Sequence, residues 1–110
     1  MLLRTQANAR IHAVAAVAVV AAGWFFGITR VEWCTVVGAI GLVFTAEGIN
    51  TAIEATVDLA SPGRHPLAER AKDVAAGAVL LASLAAAIIG LLIFGPRVLA
   101  LVARLFGQHV

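Results

Sequence analysis

Apolar residues fill three long stretches of this chain, and the polar residues gather between them, with one exception inside the second stretch. The stretches cover residues 11–28, 32–59 and 72–94. An α-helix crosses a bilayer core with about 17–25 residues, so each is long enough to span. Inside hydrocarbon every backbone N–H and C=O needs an internal partner, and three segments cannot close a barrel. Helices are therefore expected despite the many Val and Ile residues, which favour strands in water. The pattern predicts an all-α integral membrane protein, a bundle of three transmembrane helices forming a single domain. Thr29, Arg30, Val31 and Glu32 make a tight turn after the first span. Residues 60–71, with Pro62, Gly63 and Pro66, are expected to form the second loop. Gly95-Pro96 punctuates the end of the third span, and a short amphipathic tail over 96–110 either extends that helix past a kink or lies on the surface.

The exception is a polar stripe. Glu47, Asn50, Glu54 and Asp58 follow one another at offsets of three, seven and eleven, which places them on one narrow face of the second helix, bordered by Thr51. A carboxylate at mid-bilayer costs about 2.5–3.5 kcal/mol on insertion scales and normally faces protein or a wet cavity. Snorkelling from the helix end accounts for Asp58 and partly for Glu54. It does not account for Glu47, whose short side chain sits about three turns inside.

Composition strengthens the membrane reading. The chain is 62% apolar and 13% charged, against roughly half and a quarter in soluble domains. At 110 residues it has little interior in which to hide that surface. A formal charge of +2, scattered along the chain, gives no footprint for nucleic acid. Cys34 has no partner for a disulfide or a metal motif and reads as a buried apolar residue. The first apolar run is too long for a signal peptide and is followed by two more, so it reads as a retained span.

Charge also orients the spans. Arg4 and Arg10 precede the first, and Arg64, Arg70 and Lys72 surround the second loop, which puts the N-terminus and that loop in the cytoplasm. Trp24 and Trp33 flank the opposite turn, where Glu32 reads as a loop charge. Arg97 and Arg104 then fall on the outer side, against the usual bias. In this orientation the stripe occupies the cytoplasmic half of the second span. Lys72 and Asp73 start the third at the same depth, and Gln6, Asn8, Arg10 and His12 lead into the first; His12 itself is equally well read as a plain interfacial residue.

Carboxylates beside an amide suit Mg²⁺, a hard cation that prefers oxygen. A further carboxylate can accept a hydroxyl proton, and a lysine offers a point charge to phosphate. Phosphoryl transfer needs mainly positioning and charge neutralisation, so these groups suffice without a soluble kinase fold. The chain has neither a GxxxxGKS/T loop nor the protein-kinase motif set. From periodicity alone, a proton or cation pathway remains equally open.

The string Glu47-Gly-Ile-Asn50-Thr-Ala-Ile-Glu54-Ala-Thr-Val-Asp58 resembles the signature of the prokaryotic diacylglycerol kinases, Glu-x-hydrophobic-Asn-Ser/Thr-Ala-hydrophobic-Glu-x-x-Val/Ile-Asp. Ala71-Lys72-Asp73-Val-Ala-Ala-Gly-Ala-Val resembles that family's AKDxxAxAV segment. Asn8-Ala-Arg10-Ile-His12 resembles the approach to its first transmembrane helix, in a form closer to the branch that phosphorylates polyprenols. The likeness covers about residues 4–96. It implies an ATP-dependent lipid kinase of the bacterial inner membrane, a homotrimer with sites shared between chains, acting on diacylglycerol or, alternatively, undecaprenol. It implies Glu47 as the catalytic base with Asn50 in the reactive centre, and Glu54 and Gln6 at the Mg²⁺ site. Lys72, Asp73, His65 and Asp58 match positions on the ATP side. Two departures stand out. Gln6 replaces a glutamate usual in the family, which weakens the expected metal site. Only five residues precede it, where family members carry an amphipathic surface helix, as in a truncated, late-starting or reduced variant. Both departures keep a degenerate, non-catalytic family member as a further alternative.

Overall fold

A computed structural model describes residues 2–107, with side chains from residue 9 onward. Three helices account for nearly all of it: α1 (Leu2–Phe26), α2 (Arg30–Ala60) and α3 (Pro66–Gly107), with no strand among the described residues. All three are long and apolar enough to cross a membrane. Their large apolar side chains face outward. Trp24, Leu80, Leu81, Leu91 and Leu92 are each about 70% exposed, which in water would be an untenable surface and in lipid is solvated. Cys34, expected to be buried, is exposed on this outer surface as well, since an apolar residue on a membrane helix can face outward at no cost.

The turn from α1 to α2 is fixed by local chemistry. Gly27 adopts φ +63°, a left-handed conformation in which a side chain would be strained, and its amide donates to the Gly23 carbonyl. The Ile28 amide donates to the same carbonyl, closing α1 as a Schellman-type cap. Thr29 then caps α2. Its hydroxyl accepts from the Glu32 amide while the Glu32 carboxylate accepts from the Thr29 amide, a complete capping box. Glu32 is thus a structural residue of the helix start rather than a free loop charge. The first helix ends at Phe26, two residues before the expected span, because Gly27 stops it.

The second connection is shorter than expected. Helix α2 ends at Ala60, with Ser61 held out of the helical region ahead of Pro62. Helix α3 starts at Pro66, which suits a first helical position, and the His65 ring accepts from the Leu67 amide at 3.1 Å. Residues 66–71 therefore form the opening turns of α3. Gly95-Pro96 does not end this helix either, and residues 96–107 continue it. Pro96 removes one backbone donor, but Arg97 adds a guanidinium bond to the Ile93 carbonyl at 2.7 Å in the same turn. At about 1.5 Å per residue α3 runs about 63 Å, in line with the 64 Å long axis of the molecule.

Helices α2 and α3 form an antiparallel hairpin, with α1 laid against both less closely. The core lies towards the α1–α2 turn, where Ile28, Val36 and Ile93 are buried against Val19, Trp33 and Phe94. Next to it an apolar cavity of about 260 Å³ lies among the three helices, sharing Val36 with the core, and its walls include Ala16, Val43, Ser83, Gly90 and His12.

Candidate phosphoryl-transfer site

The polar stripe of α2 is turned inward. Glu47, Asn50, Glu54 and Asp58 are all half-buried, whereas Gly48, Thr51, Ala52, Ala55 and Thr56 are exposed. Thr51 does not join the stripe, since its hydroxyl donates to the Glu47 carbonyl at 3.0 Å.

Glu47 is enclosed, its side chain 13% exposed against 40% for Asp58, and the imidazole of His12 on α1 stands over it. His12 Nδ1 lies 3.1 Å from Glu47 Oε2. The distance is that of an ion pair, but the alignment is not that of a hydrogen bond, and among the described residues both buried atoms lack any other partner. The ring also meets Phe44 edge-on, centroids 6.3 Å apart. Sequence reading left His12 balanced between roles. The signal that could have decided it was its position at the inner end of the polar run leading into α1.

One turn further along α2, Asn50 Nδ2 donates to Glu54 Oε1 at 3.0 Å, while Asn50 Oδ1 is buried with no partner among the described residues. The amide therefore offers a free oxygen beside a carboxylate. At the end of the stripe Asp58 pairs with Lys72 from α3, which joins two sequence-predicted residues across the hairpin. Asp73 and His65 are exposed. His65 caps the start of α3 and is not gathered into the stripe. Gln6 belongs to α1, but its side chain lies outside the described residues. Arg70, read from sequence as a solvated charge, lines an open groove between α2 and α3 together with Asn50, Thr45 and Val74.

Among the described residues no three His, Cys, Asp or Glu side chains converge as a metal cage. Mg²⁺ asks less of a protein, taking one or two carboxylates and completing its shell with water and phosphate oxygens. The Glu54 carboxylate beside the unpartnered Asn50 oxygen fits that demand. The arrangement thus holds an enclosed carboxylate for proton transfer, hard oxygen donors one turn away, and a lysine at the aqueous end.

The sequence profile described as prokaryotic diacylglycerol kinase matches residues 1–94. An undecaprenol kinase of Bacillus subtilis (strain 168) is 48% identical over 94 residues, covering 86% of this chain and 76% of that protein. A diacylglycerol kinase of Synechocystis sp. is 42% identical over 98 residues, covering 88% of this chain and 56% of the relative. A diacylglycerol kinase of Escherichia coli (strain K12) is 42% identical over 73 residues, 64% of this chain and 57% of the relative. The chain thus spans three quarters of the first of these relatives and little more than half of the other two.

Proposed function

The chain belongs to the prokaryotic diacylglycerol kinase family, and on that footing we propose that it is a membrane-embedded, ATP-dependent lipid kinase. It transfers the γ-phosphoryl group of ATP to the hydroxyl of diacylglycerol at the cytoplasmic face of the inner membrane. The observation that carries this reading is the inward-turned stripe running from the enclosed Glu47 to the Asp58–Lys72 pair. It leads from apolar surroundings to the loop side of the hairpin, as a reaction between a lipid and a soluble nucleotide requires.

In this reading Glu47 takes the proton of the lipid hydroxyl as its oxygen attacks the γ-phosphorus. The new O–P bond forms while the bond from the γ-phosphorus to the β,γ-bridging oxygen breaks. ADP leaves with that electron pair. Asn50 orients Glu54 through their hydrogen bond. Glu54 and Gln6 would hold Mg²⁺, which would supply charge neutralisation at the phosphates. Lys72, Asp73, His65 and Asp58 serve the nucleotide side, Lys72 as a point charge already beside Asp58. A homotrimer would shelter the stripe and share sites between chains, since one three-helix subunit buries few residues.

Phosphorylation of undecaprenol is the second reading. It is favoured by the Bacillus subtilis relative, which matches this chain at 48% identity over most of both lengths. The test is γ-labelled ATP turnover in vesicles containing either diacylglycerol or undecaprenol. Label in neither lipid would leave the chain a non-catalytic family member.

A further inference from the structure

The proposed chemistry makes no use of His12, although it stands against the enclosed Glu47 carboxylate. Resting on the reading of Glu47 as base, we infer that His12 is a positioning residue for Glu47: its Nδ1–H holds one carboxylate oxygen and so aims the other at the lipid hydroxyl.

Three observations carry this. First, Nδ1 and Oε2 are 3.1 Å apart, and neither buried atom has another partner among the described residues. A buried donor and a buried acceptor left unmade each carry a desolvation cost, so a small rotation that aligns them is favoured. Catalytic hydrogen bonds commonly sit misaligned without substrate and tighten once it binds. Second, the ring is registered from α2 itself. Phe44 packs edge-on against it and sits three residues before Glu47, on the same helix face. Movement of the imidazole along α1 is therefore limited by the helix that carries the base. Third, among the described residues the cavity wall beside His12 carries no charged side chain. Around His12 the cavity wall from α3 consists of Ser83, Ala86, Ala87, Ile89 and Gly90, and that from α2 is apolar. Among the described residues His12 is the one polar group from another helix that meets Glu47.

A packing role and a positioning role make opposite demands on substitution. Asn places an amide N–H near the position of Nδ1, whereas Leu fills the space beside Phe44 without a donor. The experiment compares H12N, H12L and E47Q as full chains in vesicles, using whichever of diacylglycerol and undecaprenol the unsubstituted protein phosphorylates faster. It reads kcat, KM for Mg-ATP and assembled mass. H12L is expected to lose about ten- to a hundredfold in kcat, the scale of a misaimed catalytic group, with KM for Mg-ATP unchanged. H12N is expected to stay within about tenfold of the unsubstituted protein. An H12L protein with full kcat, or an H12N protein that falls as far as H12L, overturns the inference. If H12L does not assemble, a loss beyond about tenfold in H12N overturns it alone. An active E47Q protein removes the base reading and this one with it, whereas an inactive E47Q beside an indifferent H12L removes only the role of His12.

Discussion

Arg97 and Glu32, 65 residues apart in the chain, meet in a two-point ion pair, Nη1 to Oε2 at 2.9 Å and Nη2 to Oε1 at 2.7 Å. The same Glu32 carboxylate closes the capping box of α2. One side chain therefore fixes the start of α2 and ties it to α3 just past Pro96. The planar guanidinium fork suits this geometry as a lysine would not. The pair also gives Arg97 a structural role at a position where the charge pattern of the sequence led one to expect few basic residues.

These two duties of Glu32 can be separated. Glu32→Gln keeps a side chain able to complete the capping box but loses the ion pair. Glu32→Ala loses both. Thermal denaturation in mild detergent should give the lowest midpoint for Glu32→Ala, with Glu32→Gln and Arg97→Ala close together above it. Equal midpoints for Glu32→Gln and Glu32→Ala would mean that the cap contributes nothing separable.

At Gly23 two effects of opposite sign compete. Replacing glycine by alanine inside a helix gains about 0.5–1 kcal/mol. Here the new Cβ would lie 2.6 Å from Trp33 Cη2 and 2.9 Å from Cζ2, with Ile28 Cδ1 at 3.2 Å. The indole has little freedom to retreat, since it packs in the core and lies 5.6 Å from the Trp24 ring. Overpacking of this kind costs about 1–3 kcal/mol, so the clash should win. Gly23→Ala is expected to lower the melting midpoint and to alter tryptophan emission. A stabilised protein with unchanged emission would show that α1 shifts away without penalty.

Gln6 offers a test of the metal side. Its amide oxygen can coordinate Mg²⁺ but attracts it less than a carboxylate would. Gln6→Glu should raise lipid phosphorylation at low Mg²⁺, with the difference shrinking as Mg²⁺ saturates. Superimposable Mg²⁺ titrations of the two proteins would remove Gln6 from the metal site.

The helices and the stripe were legible in the sequence because both are properties of single segments. Apolar length marks a span, and a fixed helical period puts Glu47, Asn50, Glu54 and Asp58 on one face whatever surrounds them. The meeting of Asp58 with Lys72 followed from the hairpin, which brings the end of α2 beside the start of α3. What stayed hidden depends on how separate helices rotate against one another. His12 reaching Glu47 and Arg97 reaching Glu32 are of this kind, and no periodicity within one segment reveals them. The continuation of α3 through Gly95-Pro96 stayed open between a helix extension and a surface tail for another reason. In water a proline at that place would be a strong stop, whereas here the helix runs on and the Arg97 side chain bonds back into the same turn.

The most direct test of the account is phosphoryl transfer by Glu47→Gln, purified and returned to vesicles with its lipid substrate and Mg-ATP. The substitution removes a charge from an enclosed site and leaves an amide of nearly the same shape, so assembly should persist and stability should hold or rise. Turnover should fall by about a hundredfold or more, the scale of lost general-base catalysis, in a protein whose assembled mass by light scattering matches the unsubstituted one. Near-normal turnover at that mass would contradict the assignment of Glu47 as the base.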